Sequence, residues 1–165
     1  MMTPMTADER ARARDILDLE EGTGPIPVLD EAGALDLLRE ARRIAVVGAS
    51  PDPYRPSHSV MRYLQTQGYE CVPINPNVRD VLGIPAFGTL EEAVAASGPF
   101  DIVDVFRRSE LTAPVAEAAA ATACRALWLQ LGVVNWESAR IAIDAGLSVV
   151  MDRCTAIDHR KLRGR

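Results

Sequence analysis

The residues of this chain best suited to chemistry stand just ahead of segments that read as helices. The run Gly48-Ala49-Ser50-Pro51-Asp52-Pro53-Tyr54-Arg55-Pro56-Ser57 follows the apolar stretch Ile44 to Val47 and leads into a segment carrying Val60, Met61 and Leu64. Gly48 lets the backbone turn tightly, and a helix beginning near Ser57 offers free amides and a positive dipole end to an anion. The layout is that of a phosphate cradle. It matches neither G-x-G-x-x-G nor G-x-x-x-x-G-K-[ST], and a plain turn rich in Pro and Gly between a strand and a helix reads the same way.

Similar clusters recur downstream. Pro73-Ile74-Asn75-Pro76-Asn77 ends an apolar run and is followed by Arg79. A dinucleotide-binding domain usually carries Asp or Glu there to hold a ribose 2′-hydroxyl. None stands before Asp80. Asn75 can still hydrogen-bond an adenosine and Arg79 can meet an additional phosphate, or Asn-Pro merely ends the strand and Arg79 is solvated. Asp104-Val105-Phe106-Arg107-Arg108-Ser109 sets two arginines beside an aromatic ring, a phosphate clamp next to an apolar packing surface. Consecutive strand residues alternate in direction, so one of the two arginines is expected to point away, and Asp104 is expected to pair with an arginine and not to act as a base. Gln130 is the one polar side chain in Ala126 to Leu131 and must find partners, in a ligand or in neighbouring backbone. Cys154 reads as a buried, inert thiol or as a reactive one.

These residues need elements to position them. Five short apolar runs, Ile44 to Val47, Tyr69 to Ile74, Ile102 to Phe106, Ala126 to Leu131 and Leu147 to Met151, alternate with helical segments starting near Ser57, Thr89, Thr112 and Asn135. Continuous apolar strands covered on both faces, joined by right-handed crossovers, make an α/β doubly wound parallel sheet. With a minor strand at Ile84 to Phe87 counted third, the expected order is 3-2-1-4-5 with a sixth element at the edge. Ligands of such sheets bind outside the carboxyl ends of the strands, where the order reverses. Ahead of the sheet, Thr6 with Glu9 is a capping box opening one helix and Asp30 caps another, so residues 1–41 are expected to form a helical extension packed on a domain spanning 42–160, with 161–165 a tail.

Length and composition narrow the function. The 165 residues suit one domain, and 48% hydrophobic with 25% charged residues is ordinary for a soluble fold. No apolar run approaches the roughly 20 residues that span a bilayer, and Met1 to Thr6 does not lead into a signal-peptide core, so the expected location is cytoplasmic with no membrane partner. A formal charge of −5 argues against general nucleic-acid binding. Cys71, Cys124 and Cys154 are expected to be free thiols, and with His58 and His159 as the imidazoles no metal site is expected.

The runs IAVVGASPDPYRPS, GYECVPINPN, VDVFRRSE, LWLQLGV and AGLSVVMDRC, in this order over about Arg42 to His159, resemble the small stand-alone CoA-binding proteins and the CoA-binding domain of succinyl-CoA synthetase alpha chains. The resemblance implies a Rossmann-like fold of five to six strands with coenzyme A as ligand across the strand ends. It places Gly48, Ala49, Ser50, Arg55 and Ser57 around the phosphates, Asn75, Pro76 and Arg79 near the adenosine, and Phe106, Arg107 and Arg108 along the diphosphate and pantetheine. Gln130 and Cys154 belong to the pattern, and Gln130 is counted with the cofactor-binding residues. The synthetases add a domain bearing a phosphorylated histidine, and neither His58 nor His159 sits in such a context, so no complete catalytic site is expected. The expected function is CoA or acyl-CoA binding, as a sensor or carrier. An NAD(P)-dependent oxidoreductase or other nucleotide-using enzyme is the alternative, and a mixed disulfide of Cys154 or Cys71 with CoA is a third reading. A homodimer and a different protein partner both stay open.

Overall fold

A computed structural model describes residues 1 and 3–164. Two helices, α1 (Ala7–Glu21) and α2 (Glu31–Glu40), precede β1 (Arg43–Val47), α3 (Pro56–Thr66) and β2 (Glu70–Ile74). A hairpin of β3 (Asp80–Val81) and β4 (Ile84–Pro85) follows, then α4 (Leu90–Ser97), β5 (Ile102–Val105), a 3-10 turn (Ser109–Leu111), α5 (Ala113–Ala121), β6 (Ala126–Leu129), α6 (Trp136–Asp144), β7 (Ser148–Val150) and α7 (Thr155–Arg163). Residues 161–163, expected in a tail, continue α7.

The five apolar runs form one sheet of order β2-β1-β5-β6-β7, every pair parallel. The chain crosses from β1 outward to β2, returns, and continues through β5, so the order reverses between β1 and β5. The fold is the expected Rossmann-like α/β sheet, with one correction. The element counted third is not a full strand: Ile84–Pro85 pairs antiparallel with Asp80–Val81, and only Phe87 reaches the sheet, through one parallel bridge to Ile74. Residue 85 is proline and lacks the N–H that a ladder requires, which limits this segment to an edge contact.

Alternation along the strands divides the core into two layers. Ala45, Val47, Val103, Val105, Leu127 and Leu129 face α4, α5 and α6, while Ile44, Val46, Ile102, Ala126 and Trp128 face α2, α3 and α7. Leu38 of α2 and Met61 and Leu64 of α3 seal the second layer. The α1 helix has no fully buried residue, and its Ile16 and Leu19 rest against the first layer.

Caps set the helix starts. Thr6 and Glu9 form the full capping box, Asp30 accepts from Gly33 N at 3.0 Å, and Asn135 accepts from Ser138 N at 2.9 Å. Thr89 accepts from Glu92 N, but Glu92 reaches one residue further back to Gly88 N and not to Thr89 N, so the box read there is half made.

Candidate functional site

Gly48 lies at the reversal point. Its φ is +81°, and a Cβ built on it would come within 2.4 Å of the Phe106 carbonyl oxygen, so a tight turn and a close approach of two main chains both require glycine. The loop it opens is braced from within. Ser57 Oγ accepts from Ser50 N (3.1 Å), Ser50 Oγ from Asp52 N (3.1 Å) and Asp52 from Tyr54 N (3.0 Å). No side chain caps α3, whose first residue, Pro56, has no N–H to satisfy.

Asn75 staples this loop to the end of β2. Its Nδ2 donates to the Ala49 carbonyl (2.9 Å) and its Oδ1 accepts from Asn77 N (2.9 Å). Asn75 therefore has one amide hydrogen left for anything in solvent.

A cleft of about 780 Å³ runs along the carboxyl ends of the strands. The structure brings Gly48, Ser50, Arg55, Ser57, Asn75, Phe106, Arg107, Arg108 and Gln130 together in its lining. Ala49 is fully buried beneath it, while Pro76 and Arg79 sit on the exposed surface outside the lining. Both Arg107 and Arg108 face the cleft, against the expectation that one would turn away. The strand ends at Val105, so its two-residue alternation does not extend to the arginines.

The cations differ in their partners. Arg108 stands 3.7 Å from Glu110, which also takes Arg12 at 3.6 Å. Arg55 and Arg107 have no acidic partner among the described residues. Arg12 reaches the lining from α1, a contribution that sequence reading missed. Nothing in the local spacing of a charged helix signals that one of its arginines will meet a cleft built by residues so far along the chain.

The floor near β6 carries a buried carboxyl. Asp104 is 0% exposed and pairs with no arginine among the described residues, contrary to expectation. Gln130 Nε2 donates to its Oδ1 and Thr155 Oγ1 donates to its Oδ2 at 2.9 Å, since the strand face that holds Asp104 looks onto the start of α7 and not into the cleft. Burial pushes the Asp104 carboxyl up to about 7, against the opposing pull of those two hydrogen bonds. Cys154, 9% exposed, lines the cleft beyond β7 and is held by its neighbours, with Trp128 Nε1 donating to the Arg153 carbonyl at 2.7 Å. Cys71 and Cys124 are buried, and burial pushes the Cys71 thiol up to about 12. No group of three or more His, Cys, Asp or Glu residues is arranged to hold a metal ion among the described residues.

The same span of chain that builds the sheet and the cleft, residues 42–160, matches the sequence model of the CoA binding domain. The chain belongs to that family. An uncharacterized protein of Bacillus subtilis, YneT, is 42% identical over 124 residues, covering 75% of this chain and 90% of the relative. A hypothetical protein of Pyrococcus horikoshii superposes with a TM-score of 0.77 at 33% identity, covering 86% of this chain and 98% of that one. The dinucleotide-forming acetyl-coenzyme A synthetase 1 of Ca. Korarchaeum cryptofilum shares the fold at a TM-score of 0.60 and 21% identity, with 71% of this CoA-binding domain chain matching 28% of the larger enzyme. No helix among the described residues is long and apolar enough to cross a membrane.

Proposed function

We propose that this CoA-binding domain holds coenzyme A or an acyl-CoA across its strand ends and acts as a carrier or sensor of that ligand. The observation that carries the reading is the pair Arg55 and Arg107, two guanidinium groups without acidic partners among the described residues, on one cleft at the reversal of strand order. An unpaired arginine cluster beside an uncapped helix start is a site for phosphate oxygens, which accept its fixed fork of N–H donors. The braced turn from Gly48 to Ser57 presents its main chain to the diphosphate, and Phe106 offers an apolar face to the arm beyond. Asn75 marks the adenosine end, with its one remaining amide hydrogen and no carboxylate for a ribose diol. Pro76 and Arg79, outside the lining, are assigned to the rim of that end. The cleft volume lies within the roughly 300–1,000 Å³ common for small-molecule sites.

Calorimetric titration of the full chain with CoA, dephospho-CoA and NAD tests the reading. CoA is expected to bind most tightly, and saturation at 100 times the dissociation constant to add about 2.7 kcal/mol to stability. Absence of CoA binding at millimolar concentration, or NAD binding tighter than CoA, overturns it.

A further inference from the structure

Three side chains from three elements close on one another at the end of the cleft opposite Asn75. Gln130, just past β6, directs Nε2 to Oδ1 of Asp104 on β5 and to Oγ1 of Thr155 at the start of α7, the latter at 3.0 Å. The Thr155 hydroxyl spends its own hydrogen on the other Asp104 oxygen at 2.9 Å. Both N–H groups of the glutamine amide and the single O–H of the threonine are thus committed. Asp104 and Thr155 are each 0% exposed.

The carbonyl of Gln130 is in a different position. Its Oε1 accepts no hydrogen bond among the described residues, and it is not one of the buried polar atoms sealed off without a partner. Gln130 lines the cleft, so Oε1 is the atom it shows there. The shape of an amide does not decide which end faces where; the hydrogen-bond network does. With Asp104 ionised, a half-turn of this one would set Oε1 against the carboxylate, acceptor against acceptor, and strand a buried pair without hydrogen bonds.

We infer that Asp104 and Thr155 are positioning residues that lock Gln130 with its carbonyl toward the cleft, so that this end of the site takes a ligand group that donates a hydrogen bond. The inference rests on the CoA reading. With the adenosine at Asn75, just past β2, the strand ends lead across the sheet toward Gln130 and Cys154, and the pantetheine half follows that line. Its donors are two amide N–H groups and a terminal S–H. A ligand that offers only acceptors at this position meets the Gln130 oxygen and is rejected.

The test compares ligands on the full chain. Thr155→Val keeps the shape of the side chain but removes both the donor to Asp104 and the acceptor for Gln130, while Thr155→Ser keeps both. Titration at pH 8, where Asp104 is ionised, with CoA and with adenosine 3′,5′-bisphosphate, which lacks the pantetheine arm, is expected to show T155V weakened about tenfold for CoA alone, with T155S restored. Gln130→Met, which deletes the amide at similar length, gives the same selective loss by a second route if T155V does not fold. Acetyl-CoA separates the donors: a loss equal to that for CoA assigns an amide N–H, and no loss assigns the S–H. Equal weakening of CoA and the bisphosphate in both T155V and Q130M, or unchanged CoA affinity, overturns the inference. Wild-type protein that does not bind CoA overturns the functional reading instead.

Discussion

Replacing Asp104 by Asn should flatten the pH dependence of stability. Burial lifts the folded-state value of this carboxyl to about 7 from 3.8, so the folded protein holds the proton more tightly than the unfolded chain does. The stability tied to that proton is complete below the unfolded value and is lost as pH rises through the folded one. Each unit of displacement corresponds to about 1.4 kcal/mol, giving about 4 kcal/mol over the whole range, of which somewhat more than half falls between pH 5 and pH 8. For a domain of this size that is a difference of about 5–10 °C in Tm. Thermal unfolding of wild type and D104N at pH 5, 6, 7 and 8 reads it directly, because every other titrating group is common to both chains. Wild type should lose that much more than D104N on going from pH 5 to pH 8. Curves that stay parallel within about 2 °C, or that diverge in the opposite sense, refute the reasoning and mean that Gln130 and Thr155 hold the carboxylate ionised throughout the window.

Gly48→Ala should destabilise the fold by at least about 2 kcal/mol, from the left-handed backbone and the contact with the Phe106 carbonyl together, which equilibrium denaturation will show. Arg107→Ala should weaken CoA binding about tenfold in calorimetry, and Arg108→Ala by less, because Glu110 already competes for the Arg108 guanidinium. Thr89→Ala should cost about 1 kcal/mol through loss of the α4 cap to Glu92 N, measured by urea denaturation.

The strands were legible because a parallel sheet covered on both faces leaves little choice of residue: Ile44 to Val47 and Ile102 to Val105 could hardly be anything else. Helix starts at Asp30, Thr89 and Asn135 were legible for a local reason, since a cap and the amide it satisfies lie within one turn. The hairpin was harder. Val81 and Ile84 carry the apolar signal of a strand, but Pro85 and the left-handed Leu82 and Gly83 turn the chain back on itself before it can join the sheet. In the cleft, residues directly after strand ends were recoverable from sequence because the fold class dictates where strands point. The partners of Asp104 were not, since Gln130 and Thr155 reach it from other elements and no spacing rule links them. Arg12 was hidden for the same reason, being brought to the site by the docking of Ile16 and Leu19 and not by any pattern of its own.

Where Gly48 passes Phe106, main chain meets main chain, and this part of the cleft owes its form to the fold and not to side chains. On the CoA reading, recognition falls to Arg55, Arg107 and Arg108, exposed side chains that can be exchanged without disturbing the framework beneath. A change of ligand preference at those positions therefore needs no change of platform.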